Sequence, residues 1–397
     1  MTIVTDRIIG DVPLPGTLPI IERTSSPFAG LWSGRWGGVL PHILIVPHVT
    51  ATGEATVIYA TGGNADQGFA GNWSEIKGHV SEGTLRIATE KMTAEYHMST
   101  TGRMRGVFGE DRAFAVLDRR DIEQLSPAPD DEWWSTATSL MLDTGIVEDG
   151  NPVRLHTLLQ LPAGNGPFPL AMIHHGSAGG GADMRRLVWS AEWLGDMLNE
   201  RGWAVAFPQR RGRGGSDGVY GEGLTPDGTD YSGDAGRSLS GAARALDDAE
   251  AALLALRQRN DISDDPVLLM GMSRGGVLAH LQAAERPDDV AGVVNFVGGW
   301  LREGYGDHDE VHRSLFRKAA AYRSPTLWIY GEDDPLYTVA YSRAIFDYYL
   351  RAGGQGRFMS VEVPGEEAGH YAMFCPPRWA DDLAAYLDQI AAGPNRG

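Results

Sequence analysis

From Phe28 to Arg120 apolar and polar positions alternate in short runs, as in GEATVIYATGG, EGTLRIATEK and MTAEYHMSTTGRMRGVFGEDRAFAVLDRR. A period of two sends successive side chains to opposite faces of an extended strand. Turn residues at SEG, TTG and GED interrupt the runs. The pattern therefore predicts an antiparallel meander that closes, or nearly closes, into a small barrel. Trp32, Trp36 and Trp73 are expected to plug its interior, because aromatic side chains fill small barrels. The stretch LSPAPDDEWW, Leu125 to Trp134, is rich in proline and acid, as a linker would be. The expected division is a barrel domain over residues 1–125 and a second domain over 126–397.

Beyond the linker the rhythm changes. Apolar strand-like segments (SLMLDTG, VRLHTLLQLP, FPLAMIHHG, WAVAFPQRRG, PVLLMGM, VAGVVNFVGG, SPTLWIYG, RFMSVEVPG) are interspersed with amphipathic helical ones. Helices are expected over Met184–Gly202, Leu239–Arg259, Ala340–Ala352 and Pro377–Ala392, with another opening after the segment that ends in GMSRGG. Apolar strands alternating with such helices predict an α/β fold, a mostly parallel sheet covered on both faces.

Composition narrows the partners. Asp+Glu of 52 against Lys+Arg of 34 gives a formal net charge of -18, which repels phosphate backbones and anionic headgroups. Nucleic acid and membrane surfaces are thereby disfavoured, and a small molecule is the expected partner; a homo-oligomer is compatible with all of this. A single cysteine, Cys375, can form neither an internal disulfide nor a thiolate metal site, and is expected to be a packed thiol. The opening MTIVTDRIIGDVPLPGTLPIIERTSS has acids and prolines where a signal peptide needs a basic start and an apolar run. A cytoplasmic protein without cofactor is expected.

The chemistry concentrates at Gly271-Met272-Ser273-Arg274-Gly275, a G-x-S-x-G pentapeptide between an expected strand and an expected helix. A serine on so sharp a turn needs small neighbours two residues away on either side, and the helix beneath it presents unpaired N–H groups. A hydroxyl also needs a base, and the base needs a partner that fixes its tautomer. YGEDDPLY places Asp333 and Asp334 at the end of a later strand, and PGEEAGHYAMF places His370 after the next.

The order Ser, Asp, His on successive strand ends resembles that of α/β-hydrolases, closest to the dienelactone hydrolase and prolyl-oligopeptidase-like branches, over roughly Thr136 to Ala392. The resemblance implies Ser273 as nucleophile, His370 as general base, and Asp334 rather than Asp333 as the acid. It further implies an oxyanion hole of the Arg274 and Ser177 N–H groups, the latter following the His-Gly of IHHGSAGGG. The loop PQRRGRGGSDGVYGEG resembles that of cocaine-esterase-like hydrolases, and GLWSGRWGG resembles the opening of lipocalin-like barrels. His175, Gly176, Arg211 and Tyr220 are candidate substrate contacts. Arg210, Arg211 and Arg213 either pair with Asp217, Glu222 or Asp230, or recognise an anionic group of the substrate. A metal is not expected: His308 and His312 are four apart, but Asp309 stands where the H-E-x-x-H motif needs glutamate. The implied function is hydrolysis of a carboxylic ester through an acyl-enzyme. A peptidase or amidase, a carbon–carbon bond hydrolase and a non-catalytic ligand-binding protein are the alternatives.

Overall fold

The structure, a computed structural model, describes residues 7–63, 70–90, 92–109, 113–121, 125, 131–177 and 185–392. The chain divides into two compact units, Met1–Thr138 with Ala191–Arg201, and Ser139–Ser190 with Gly202–Gly397. The sequence placed the first division at 125, and the units part at Thr138.

In the first unit, β3 (Gly30–Trp36), β4 (Leu40–Val46), β5 (Glu54–Thr61), β6 (Asn72–Ser81), β7 (Thr84–Ala88), β8 (Thr93–Met98), β9 (Met104–Phe108) and β10 (Ala113–Arg120) form a closed barrel. Neighbours are antiparallel, and β10 closes on β3. Trp32, Trp36, Leu44, Val57 and Tyr96 fill the interior. Gly106 makes room for this packing, since a Cβ there would lie 2.7 Å from the Trp36 ring and 2.9 Å from Tyr96. Trp73 does not join them. Ile76 points inward on β6, so the odd-numbered residues of that strand, Trp73 among them, face outward. There Trp73 packs against the cluster made by β1 (Arg7–Ile9), β2 (Val12–Leu14) and the outer side chains Ile43, Ile45 and Ile58.

Inside the barrel His42 is fully buried, with Nδ1 2.8 Å from the Ala60 carbonyl and Nε2 2.9 Å from the Tyr96 hydroxyl. Burial holds its pKa down at about 4.

Helix α1 (Glu192–Asn199) belongs to the barrel's unit although the chain on both sides of it belongs to the other. Its Asp196 is fully buried and takes hydrogen bonds from Arg105 Nε at 2.7 Å and Thr101 Oγ1 at 2.6 Å. Glu192 accepts from the Ser135 and Thr136 hydroxyls at 2.8 and 2.7 Å. The sequence pattern ran one helix from Met184 to Gly202, but among the described residues it is broken: Arg185 and Arg186 are helical, the chain leaves the helix at residues 187–190, and it resumes as α1. Before α1 the Gln209 side chain binds both the N–H and the C=O of Trp189, at 2.9 and 2.8 Å, which takes those groups out of helical pairing.

The second unit is built on an eight-stranded sheet in the order β11 (Thr138–Glu148), β12 (Asn151–Gln160), β14 (Ala204–Pro208), β13 (Leu170–His174), β15 (Val267–Met272), β16 (Val290–Phe296), β17 (Pro325–Gly331), β18 (Gln355–Val361). β12 runs antiparallel to β14, and from β14 to β18 every pairing is parallel. Strands buried on both faces read as unbroken apolar runs, which is why β13, β14 and β15 show no alternation. The connecting helices are α2 (Ala235–Leu256), α3 (Arg274–Glu285), α4 (His308–Ala319), α5 (Val339–Arg351) and α6 (Ala380–Ala391). Asp234 caps α2 by accepting from the Arg237 N–H at 2.8 Å. Leu155, Met172, Leu253, Leu269 and Val293 form the core. Because these strands are parallel, the chain leaves β13, β15, β17 and β18 at one edge of the sheet, where ligands bind in such folds.

Candidate active site

Ser273 sits between β15 and α3 at φ 55°, ψ −123°, a left-handed conformation that costs a non-glycine residue energy and is held by its surroundings. The flanking glycines explain how the chain can make this turn. A Cβ at Gly271 would lie 2.2 Å from the Gly275 carbonyl, and one at Gly275 would lie 2.1 Å from the His174 carbonyl. The turn is thus pressed against the end of β13. Arg274 is the first residue of α3, so its N–H has no acceptor within the helix.

Of the two aspartates after β17, the structure selects one. Asp333 is exposed with φ 56°, whereas Asp334 is buried. Asp334 Oδ1 accepts from the Leu336 and Tyr337 N–H groups at 2.7 and 3.1 Å, and Oδ2 is 2.9 Å from His370 Nδ1. That bond leaves the proton of a neutral imidazole on Nδ1 and the lone pair on Nε2, the tautomer a general base needs. The histidine loop reaches the acid loop because a glycine lies on each side. A Cβ on Gly369 would be 2.1 Å from the Glu332 carbonyl, and one on Gly331 would be 2.0 Å from the Gly369 carbonyl.

Tyr337 lies beside this pair. Its phenol lies near enough to the Ser273 hydroxyl to feel it, and its ring centroid is 5.6 Å from that of His370. Burial raises its pKa, so it is a neutral donor. The sequence reading passed over Tyr337, although its place three residues after Asp334 in the same DDPLY loop was the available signal.

On the opposite side of Ser273 lies the chain after β13. A Cβ at Gly176 would be 3.1 Å from Ser273 Cβ and 3.7 Å from its Oγ. Ser177 follows and is exposed, and the rest of IHHGSAGGG, from Ala178, lies outside the described residues. Arg210 holds this chain in place. Its guanidinium donates to the His175 carbonyl at 3.0 Å and to the Gly176 carbonyl at 3.1 Å, and is paired with the buried Glu222. His175 Nε2 in turn accepts from the Arg210 N–H at 3.2 Å. Burial beside Arg210 and Arg213 holds the His175 pKa well below its ordinary value, so the ring is neutral.

Arg274 contributes more than its N–H. Its guanidinium lies 3.7 Å from the Tyr231 ring centroid and 4.6 Å from that of Trp300, and donates to the carbonyls of Trp300 and Glu222 at 3.0 and 2.6 Å. The other candidates have structural partners. Arg211 pairs with Asp248 at 2.5 Å, and Tyr220 bonds Glu222 at 2.9 Å and the Tyr231 hydroxyl at 2.7 Å. Asp217 is taken by Arg154 at 3.0 Å.

His312 uses both ring nitrogens inside the protein, Nε2 at 2.7 Å from the Trp300 N–H and Nδ1 at 2.7 Å from the Tyr341 hydroxyl. His308 Nε2 instead takes the Gly304 N–H at 3.3 Å. Among the described residues no cluster of His, Cys, Asp and Glu is arranged to hold a metal ion. Cys375 is buried. No helix among the described residues is long and apolar enough to cross a membrane.

Residues 185–302 match the family described as serine aminopeptidase, S33. No curated protein sequence matches the chain. Among solved structures, Est1E from Butyrivibrio proteoclasticus with ferulic acid bound is 18% identical over 64% of this chain and 99% of its own, with a TM-score of 0.44. An esterase of Pyrococcus furiosus is 14% identical over 64% of this chain and 90% of its own, also at 0.44.

Proposed function

From a C-terminal unit with the α/β-hydrolase fold, preceded by a closed antiparallel barrel, we propose that the protein is a serine hydrolase that cleaves a carboxylic ester through an acyl-enzyme. The observation that carries this reading is the hydrogen bond between Asp334 and His370, on the loops that follow β17 and β18, together with the strained turn that holds Ser273 at the end of β15.

In this reading Ser273 Oγ attacks the carbonyl carbon while His370 Nε2 takes its proton. Asp334 holds the ring and stabilises the imidazolium that forms. The developing oxyanion is received by the N–H groups of Arg274 and Ser177, the first of them unpaired at the start of α3. The imidazolium then protonates the leaving alcohol. Water, deprotonated by the same histidine, releases the acid and restores Ser273. The groups at work are the chain's own side chains and amides, and the proposal assigns no cofactor.

The S33 match supports a second reading, hydrolysis of an amide next to a free amino terminus. An aminopeptidase must pair the substrate's ammonium with an acid. Among the described residues, the buried Glu222 on the Gly176 side of the site is already paired with Arg210. Esters are therefore favoured.

The test is a burst of nitrophenol from 4-nitrophenyl valerate, with labelling by a fluorophosphonate. Wild type should show both, Ser273→Ala neither, and the matching anilide should turn over far more slowly than the ester. Undiminished turnover by Ser273→Ala would refute the assignment.

A further inference from the structure

Arg213 stands apart from every other arginine in the loop after β14. It is 4% exposed, yet its Nε and one terminal nitrogen are buried without a hydrogen-bond partner among the described residues. The carboxylates that the sequence offered it are engaged elsewhere: Asp217 with Arg154, Glu222 with Arg210, and Asp230 with the Tyr231 N–H at 2.7 Å. Guanidinium keeps its proton under all ordinary conditions, so among the described residues this is a buried charge without a directly paired carboxylate, a costly arrangement for a fold to retain. Its electrostatic neighbours are Arg210, Tyr220, Glu222 and Tyr231, and it acts on His175, the residue before Gly176. Taken with Arg210, Arg211 and Arg274, four guanidiniums here face two carboxylates, Glu222 and Asp248. A chain with a net charge of -18 thus keeps an excess of positive charge around the Arg210–Glu222 pair, whose arginine holds the His175 and Gly176 carbonyls.

We propose that Arg213 is the recognition site for a carboxylate carried by the substrate, so that the natural substrate is an ester with a free acid group. This rests on the reading of Ser273 as the nucleophile of an esterase. The acid group would supply the acceptor that the fold withholds from Arg213, on the Gly176 side of Ser273.

Two measurements test it. The first compares 4-nitrophenyl hydrogen glutarate with 4-nitrophenyl valerate, which differ by a terminal carboxylate in place of a methyl. Wild type should prefer the anionic ester in kcat/KM by roughly 10- to 100-fold, the range expected of hydrogen bonds to a charged group. Arg213→Met should bring the ratio to near one, and Arg213→Lys should restore part of it. The second measures the melting temperature with and without free glutarate. Glutarate should raise the Tm of wild type but not that of Arg213→Met, and Arg213→Met alone should melt no lower than wild type, because it removes an unpaired buried charge.

A wild-type ratio near one with no effect of glutarate would overturn the proposal. So would an Arg213→Met protein that melts much lower and loses both esters equally, which marks a structural arginine. If wild type hydrolysed neither ester but kept an Arg213-dependent shift with glutarate, the esterase reading would fail while this site stood.

Discussion

Replacing Arg210 by methionine tests whether the buried ion pair serves catalysis or only the fold. The substitution removes two hydrogen bonds that hold the carbonyls of His175 and Gly176, and leaves the Glu222 carboxylate buried without its main partner. Breaking one side of a buried pair costs ~3–5 kcal/mol. Here Glu222 keeps the Tyr220 hydroxyl at 2.9 Å and Arg274 at 3.7 Å, so the loss should be near 3 kcal/mol, roughly a 6–12 °C fall in Tm for a unit of this size. The effect on rate follows from position. Gly176 is close enough to the serine that a Cβ on it would lie 3.7 Å from Ser273 Oγ, and it precedes the Ser177 N–H assigned to the oxyanion. A displacement of ~1 Å at such a donor costs about 10²-fold in rate. The expected result with 4-nitrophenyl valerate is a kcat lowered about 100-fold and a KM within threefold, since the donors act on the transition state more than on the bound ester. Glu222→Gln keeps the shape and leaves Arg210 on both carbonyls. It should lose comparable stability while kcat falls less than tenfold, about 1.4 kcal/mol or less. If Arg210→Met were folded at the assay temperature and turned over within threefold of wild type, Arg210 would not be a positioning residue.

Two further outcomes follow from the geometry. Asp334→Asn can keep its amide oxygen on the Leu336 and Tyr337 N–H groups and present its NH₂ to His370 Nδ1, forcing the wrong tautomer. Turnover of the aryl ester should fall about 10⁴-fold, whereas the exposed Asp333→Asn should stay within threefold, and equal effects would contradict the assignment. His42, held at about 4 in the folded barrel against an ordinary 6.5, binds its proton in the unfolded chain first, so stability is lost as pH falls below 6.5. Between pH 6.5 and 5 the loss is roughly 2 kcal/mol. Urea unfolding at pH 7 and 5 should show His42→Asn losing about that much less than wild type, and identical losses would remove His42 as the cause.

What could be read from the sequence was whatever steric necessity writes into local spelling. Gly271 and Gly275 announce the turn at Ser273 because a Cβ on the first would strike the Gly275 carbonyl and one on the second the end of β13. The alternation in the first unit likewise specified its strands. Trp73 shows the limit: its direction depends on register, and a shift of one residue reverses every side chain. The helix expected from Met184 was interrupted by Gln209, a residue distant in sequence whose amide claims the Trp189 backbone. Order in the chain already pointed to Asp334 over Asp333; that Asp334 is buried with its carboxylate on His370 while Asp333 is exposed is legible only after folding. The solitary Arg213 was least legible, because its character lies in a partner it lacks among the described residues while Asp217 and Glu222, close by in sequence, bind other arginines.

The chain enters the barrel's unit twice, once at its beginning and once for α1. The barrel is therefore interleaved rather than appended. A truncated protein starting at Ser139 would carry Ala191–Arg201 without Arg105, Thr101 and Ser135, stranding the Asp196 carboxylate apart from the guanidinium and hydroxyl that satisfy it. Cutting the chain at a single point before Ser139 therefore cannot free the second unit without leaving part of the first attached to it.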